Sequence, residues 1–489
     1  MNNKIRELLE KAKDCQNKNE NLKAEKFYKK IIDIDINNFE AHNLLGIIYC
    51  QNEKFNEGLK YFNKAMNIQD NHAGLYCNKG NAHFELNEFK EAIKNYDIAI
   101  SLHPKLVDAY YNKGNALQKL QNFEESIINY DKALEFNSNL FGAYINKGNS
   151  LKNLKKLDEA ITNYNKAIEI KSNEAEPNWN KAITLLLKGD LEEGWKYYEW
   201  RWKKNNFSSE KRNFSQPLWL GNFSINKKII LIHTEQGLGD SIQFSRYIEL
   251  VERLGAKVLF EVEGPLIKLM KYLNGNFVII QKGEKLPFFD FHCPLLSLPH
   301  AFKTNINNIP NSIPYIKKPS LQKKIWGNEL NQENFNIGIC WQGSSYSKDE
   351  GRSFPVRYFK DISKIKNVKL FSLQKNDGSD QLKTNFDEIK IFDLGTDLDK
   401  EAPFLDTAIL MKKLDLIITV DTSIAHLAGS MGCKVWVLLQ FIPDWRWMLD
   451  KDFTPWYPSM KLFRQSKPND WSGPLKQIEK EINSFINNN

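Results

Sequence analysis

The sequence is poor in cysteine: six residues in 489, at Cys15, Cys50, Cys77, Cys293, Cys340 and Cys433, none in a CxxC pair. That scatter excludes a disulfide framework and a thiolate zinc site, and it predicts reduced thiols in a cytoplasmic protein. No apolar run is long enough to span a bilayer, and the opening MNNKIRELLEKAKD lacks the apolar centre of a signal peptide. Long blocks of like charge are missing too. A formal charge of +8 over this length suits an anionic small ligand and does not call for nucleic acid. What is present is an ordinary globular balance, 42% hydrophobic and 26% charged, in a chain long enough for roughly three domains.

A repeat dominates the first part. Gly46, Gly80, Gly114 and Gly148 recur every 34 residues, as do Ala65, Ala99, Ala133 and Ala167, and Phe62, Tyr96, Tyr130 and Tyr164. Degenerate units flank them (Ala12, Ala24, Tyr28 before; Ala182, Gly194, Tyr198 after), which makes about six units. A small residue in one helix lets the next approach, and small plus aromatic positions in that second helix fill the gap. The period and pattern resemble the tetratricopeptide repeat, which implies an α-solenoid over residues 1–205, wound as a right-handed superhelix with a concave groove.

Asparagines follow the same register. Asn78, Asn112, Asn146 and Asn180 occupy one position, and Asn81, Asn115 and Asn149 another three residues on. Asparagine is a mediocre helix former, so its recurrence has a cause. Its carboxamide can tie neighbouring repeats together, or it can pair with the backbone of an extended peptide, since it both donates and accepts. The first of these ladders resembles that of eukaryotic O-GlcNAc transferases, which implies a polypeptide partner in the groove. The last unit ends in GWKYYEWRWKK (194–204), whose aromatics suit packing onto the next domain better than a ligand cage.

Strands and helices alternate after that. KIILIH, KVLFEV and FVII read as strands, with the loop TEQGLGD (234–240), a helix over 241–256 and a second helix at PLIKLMKYL. A proline-bearing stretch, 297–334, reads as a linker. A second alternation follows, with strands NIGIC, VKLFSL, IKIFDL, LIITV and VWVLL and helices near 355–365, 404–414, 423–432 and 474–486. Two Rossmann-like halves, 206–325 and 326–489, describe the GT-B fold. Ligands in such sheets bind beyond the carboxyl ends of strands, and the loops 234–240, 341–352, 374–378 and 421–423 all lie there.

Those loops carry the candidate chemistry. TEQGLGD lacks the GxGxxG spacing, which argues against a nicotinamide enzyme even though Glu261 and Glu263 end the next strand. Gly237 and Gly239 would let backbone approach a ligand or take φ > 0. Asp240 reads as a helix cap or as a general base for an acceptor hydroxyl. Gly343, Ser344 and Ser345 follow a strand and could offer N–H and hydroxyl groups to an anion, with Arg352 in reach of a diphosphate. Gln374 and Lys375 could contact nucleotide; a solvated lysine is the plainer alternative. In LIITVDTSIAHLAGSMG (416–432), Thr422, Ser423 and the helix N-terminus suit phosphate. Asp421 would repel phosphate, so it would cap the turn or take a ribose or sugar hydroxyl. His426 lies one turn further on.

Together GLGDSIQF, VDTSIAHLAGS and RSFP resemble the glycosyltransferase family 9 (heptosyltransferase-like) domain over the C-terminal 270 or so residues. The fused repeats give a layout similar to O-GlcNAc transferases. The resemblance implies Asp240 as base and the 421–426 motif as the nucleotide-diphosphate site. Arg352 stands for the usual lysine, and Ser423 for the more common glycine. The expected protein is thus a metal-independent inverting glycosyltransferase without a cofactor, using a nucleotide-diphosphate sugar on a hydroxyl acceptor, here a polypeptide held by the repeats. Asp33/Asp35 and Asp397/Asp399, the candidate Asp-x-Asp strings, do not follow cleft-facing strands. The alternatives are a repeat scaffold with a non-catalytic, ligand-binding GT-B remnant, or a transferase acting on a lipid-linked or surface glycan.

Overall fold

A computed structural model describes residues 2–205, 207–319, 330, 333–344, 351–384, 389–395, 398–400 and 402–487. The chain divides into two compact units, Met1–Asn180 and Lys181–Asn489. The expected boundary at 205 therefore moves toward the N-terminus, and the one at 325 falls outside the described residues.

The first unit is helical. Its helices are α1 (Asn2–Asn17), α2 (Asn21–Ile34), α3 (Phe39–Gln51), α4 (Phe55–Ile68), α5 (Ala73–Glu85), α6 (Phe89–Leu102), α7 (Val107–Lys119), α8 (Phe123–Phe136), α9 (Phe141–Asn153) and α10 (Leu157–Ile170). Two more follow, α11 (Ala175–Lys188), which crosses the division, and α12 (Leu191–Tyr198), which lies in the second unit. The repeat glycines explain the pairing. A Cβ at Gly114 in α7 would sit 2.6 Å from the ring of Tyr130 in α8, and Gly80 and Gly148 meet Tyr96 and Tyr164 in the same way. The aromatic ring thus fills the space that the missing side chain leaves, and both it and the recurring alanines are buried.

The second unit holds two parallel sheets. The first has β1 (Ile229–His233), β2 (Lys257–Val262), β3 (Val278–Gln281) and β4 (Phe291–Pro294) in the order β3-β2-β1-β4, all parallel. The second has β5 (Phe335–Cys340), β6 (Val368–Ser372), β7 (Ile391–Phe392), β8 (Leu416–Val420), β9 (Val435–Leu439), β10 (Phe453–Thr454) and β11 (Tyr457–Arg464). Its order is β10-β11-β9-β8-β5-β6-β7, and only β10 is antiparallel to its neighbour. Apart from β10, this is the doubly wound order, whose topological switch point falls between β5 and β8. Every residue of β8 and β9 is buried, as their largely apolar runs require. The C-terminal helix Ser472–Asn487 adds Leu475, Ile478 and Ile482 to the same core as Ile337, Ile418 and Leu438.

Several elements depart from expectation. The helix expected at 355–365 is two 3-10 turns, Val356–Phe359 and Ile362–Lys364. Val356, Phe359 and Ile362 are buried at a spacing of three, which eclipses on one face of a 3-10 turn and drifts around an α-helix. The strand at 389–394 shrinks to Ile391–Phe392 on the sheet edge. PLIKLMKYL forms a 3-10 turn and a short helix, Ile267–Met270. Within the 297–334 linker, Leu298–Ala301 is helical. Strands β4, β10 and β11 had no clear sequence signal, because FHCP and YPSMKLFR mix polar residues and proline into their runs.

Candidate functional site

Two helices begin where β1 and β8 end. After β1 the chain passes through Thr234–Gly237 into the helix Leu238–Phe244. The helix thus starts three residues before the expected 241, with Gly237 as its cap and Asp240 in its first turn. The Asp240 carboxylate accepts the Gly237 N–H at 2.9 Å. After β8, Asp421 and Thr422 lead into the helix Ser423–Ser430.

Gly239 brings the two helix starts together. A Cβ there would lie 3.1 Å from the His426 ring and 3.3 Å from Ser423 Cα. Its missing side chain therefore serves the contact between the helices, and of the two uses expected of Gly237 and Gly239 the positive φ is seen at neither. The left-handed residue of this loop is Gln236, at φ 63°.

Asp240 is also ion-paired with Arg446, from the 3-10 turn Trp445–Trp447. The Arg446 guanidinium also donates to Asp444 at 2.8 Å and to Gln243 Oε1 at 2.9 Å, and it stacks on Trp445. Burial works against its charge, but the Asp444 and Asp240 carboxylates outweigh that and raise its pKa. Sequence reasoning missed this residue; the only available signal was an arginine between two tryptophans in DWRWM.

Around the second helix start, Arg352 lies over Gly343, where a Cβ would come within 2.6 Å of its Nε. Its Nη1 reaches the Asp421 carbonyl at 3.5 Å. Ser344 is exposed; Ser345 and residues 346–350 of the same loop lie outside the described residues. Thr422 is the N-cap and makes no side-chain bond to its own helix, and its hydroxyl lies 3.2 Å from that of Thr419. The Asp421 carboxyl is pushed up to about 6 by burial and the neighbouring Asp444 carboxylate, with the Arg446 and Arg352 cations and the Trp447 indole pulling the other way. His426 is buried, its Nδ1 3.0 Å from the Tyr457 hydroxyl and its ring stacked on Trp447. Burial, then Arg446 and Arg246, hold its pKa well below the usual value, so it is neutral.

Two expected nucleotide contacts are engaged elsewhere. The Gln374 amide accepts from the backbone of Trp341 and Gln342, both at 3.0 Å, and donates to the carbonyls of Gln342 and Asp377. It therefore clamps the chain leaving β5. Lys375 donates to the Leu398 carbonyl at 2.8 Å and pairs with Asp399 at 2.5 Å. Among the described residues, no group of three or more His, Cys, Asp or Glu is placed to hold a metal ion. Asp399 is taken up with Lys375 and Thr407, and Asp397 lies outside the described residues.

In the first unit the asparagine ladders bond to each other. Asn112, Asn146 and Asn180 donate to Asn81, Asn115 and Asn149 of the preceding repeat, at 2.9, 2.9 and 3.1 Å. The same acceptor oxygens take the hydroxyls of Tyr96, Tyr130 and Tyr164. Asn78, at the start of the series, donates to Asn43 at 3.3 Å. Stitching between repeats is thus real. The ladder amides are engaged through their N–H groups, and Asn146 donates to the Tyr111 hydroxyl at 3.2 Å as well.

The family described as TPR repeat matches residues 80–121, and that described as Tetratricopeptide repeat matches 107–140 and 142–174. Protein FlbA of Caulobacter vibrioides is 22% identical over 333 residues, 62% of this chain and 54% of FlbA. The chain thus spans about half the length of that curated relative. Similar solved structures include MamA (25% identical, 36% of this chain and 96% of that chain, TM-score 0.32). Another is YrrB, described as a TPR protein with an unusual peptide-binding site (21% identical, 35% and 89%, TM-score 0.32). No helix among the described residues is long and apolar enough to cross a membrane. The matched ranges and the glycine–tyrosine pairs agree, and the N-terminal helical unit is a stack of tetratricopeptide repeats.

Proposed function

We propose that this protein is an inverting glycosyltransferase that moves a sugar from a nucleotide-diphosphate donor to a hydroxyl acceptor, a polypeptide held by the repeats, with GT-B architecture in its second unit. The observation that carries this reading is the meeting at Gly239. It sets Asp240, beyond β1 of one parallel sheet, beside the helix start at Thr422 and Ser423, beyond β8 of the other. Asp240 takes the acceptor hydroxyl proton as that oxygen attacks the anomeric carbon, and the bond to the diphosphate breaks on the opposite side. Each carboxylate oxygen of Asp240 has a lone pair beyond those given to Arg446 and Gly237. The leaving diphosphate is stabilised by the N–H groups at Thr422–Ser423, the helix dipole and Arg352, which together do the work of a divalent ion. Asp421 and Asp444 take sugar or ribose hydroxyls.

The test is a thermal-shift screen of the purified protein against UDP-, GDP- and ADP-sugars, followed by labelled transfer into protein and lipid fractions. A donor at a hundredfold excess over Kd stabilises by about 2.7 kcal/mol. Asp240→Asn is expected to bind donor normally and to lose transfer by roughly 10²–10⁴-fold. Full activity of that variant would remove Asp240 as the base. The Arg446 pairing of Asp240 favours one other reading, a ligand-binding unit without turnover. Donor binding with no transfer to any acceptor would select it.

A further inference from the structure

We infer that Tyr198, Arg201 and Ser209, which follow the repeats, are a working part of the candidate transfer site: they hold the 234–240 loop in the conformation that presents Asp240. The inference rests on the glycosyltransferase reading for its effect on rate, and on geometry alone for the clamp. Arg201 is fully buried and grips Glu235 with both arms of its fork, Nη2 to Oε1 at 2.7 Å and Nε to Oε2 at 3.4 Å, while Nη1 holds Glu199 at 2.7 Å. The next loop residue, Gln236, has the left-handed φ of 63°, which is unfavourable for any residue but glycine. Its side chain and backbone are both tied to the same segment: Nε2 donates to the Tyr198 hydroxyl at 2.8 Å, and the backbone N–H donates to Ser209 Oγ at 2.7 Å. Gly237 follows at once, and its N–H is the one that Asp240 accepts. Two consecutive residues ahead of the proposed base are therefore fixed by contacts from outside their own βα unit.

Tyr198→Phe and Gln236→Ala test this in the full chain, since both leave the buried Arg201–Glu235 pair intact. Amide hydrogen exchange is read at 236–241, with the buried strand 435–439 as the control. Each variant is expected to speed loop exchange by about tenfold or more, leave the control unchanged, and be no faster in the double variant than in the quicker single. Transfer is expected to fall between about tenfold and a hundredfold in kcat at unchanged donor Kd. Unchanged loop exchange overturns the clamp, and so does a rise shared equally by the control. Faster loop exchange with unaltered transfer overturns the role in rate. Faster loop exchange in a protein that transfers no sugar supports the clamp and overturns only the glycosyltransferase reading.

Discussion

At the scale of single residues, the site is a crowd of carboxylates around one guanidinium. Asp240 and Asp444 are ion-paired with Arg446, and Asp421 lies within reach of the Arg446 and Arg352 charges. Asp421 bears the cost. Its folded pKa of about 6 lies above the usual aspartate value, so between roughly pH 4 and 6 the folded state holds a proton that the unfolded state releases. Stability contributed by this residue therefore falls as pH rises through that window and stays low above it. Asp421→Asn is expected to stabilise the protein on the order of 2 kcal/mol at pH 7 and to have no effect near pH 4, read as urea midpoints at the two pH values. The opposite trend would mean that Arg446 and Arg352 outweigh burial. His426 works the other way: kept neutral by burial, it costs stability when acid protonates it. The Asp421 effect must therefore be read as a difference between variant and parent at each pH.

At the scale of elements, the repeats are held by a bond network that the two asparagine series share unequally. Asn115 Oδ1 accepts from both Tyr130 and Asn146, at 2.9 Å each, whereas Asn112 donates to Asn81 and meets the Cys77 thiol. Asn115→Ala leaves two part-buried donors without their acceptor and is expected to destabilise by about 1–3 kcal/mol; Asn112→Ala is expected to cost less than about 1 kcal/mol. Chemical denaturation of the two variants compares them directly. If Asn112 is instead the more costly to lose, the ladder is held by contacts other than these. The repeats were legible because their period comes from the packing of one helix on the next, a local rule. The 3-10 turns at 356–364 were not, since a buried spacing of three fits loosely into the expected helix.

At the scale of the molecule, the division lies between Asn180 and Lys181, and α12 with the 3-10 turn Glu199–Lys203 belongs to the α/β unit. Trp195 packs edge-on against Phe244, Trp445 and Trp456, and Arg201 neutralises Glu235. A chain beginning at Lys181 is thus expected to unfold cooperatively. One beginning at residue 206 loses a buried tryptophan and the counter-charge of a buried carboxylate, and is expected to aggregate or melt without a sharp transition. Calorimetry of the two fragments decides this; a sharp transition from the shorter one would show that α12 is dispensable.

What the sequence determined by itself was whatever follows from neighbours along the chain. The 34-residue period, the buried runs of β8 and β9, and the helix start at Thr422 all lie within a few residues of their own cause. The location of Asp240 and the 421–426 stretch at strand ends was legible for the same reason. Only the tertiary structure decided which long-range partners those groups have. Arg446 reaches Asp240 across 206 residues of chain, Gln374 and Lys375 turn to protein partners, and Gly239 serves a contact between two helix starts. Such pairings depend on the β3-β2-β1-β4 order and the doubly wound order of the second sheet, which bring distant loops together, and no local pattern encodes them.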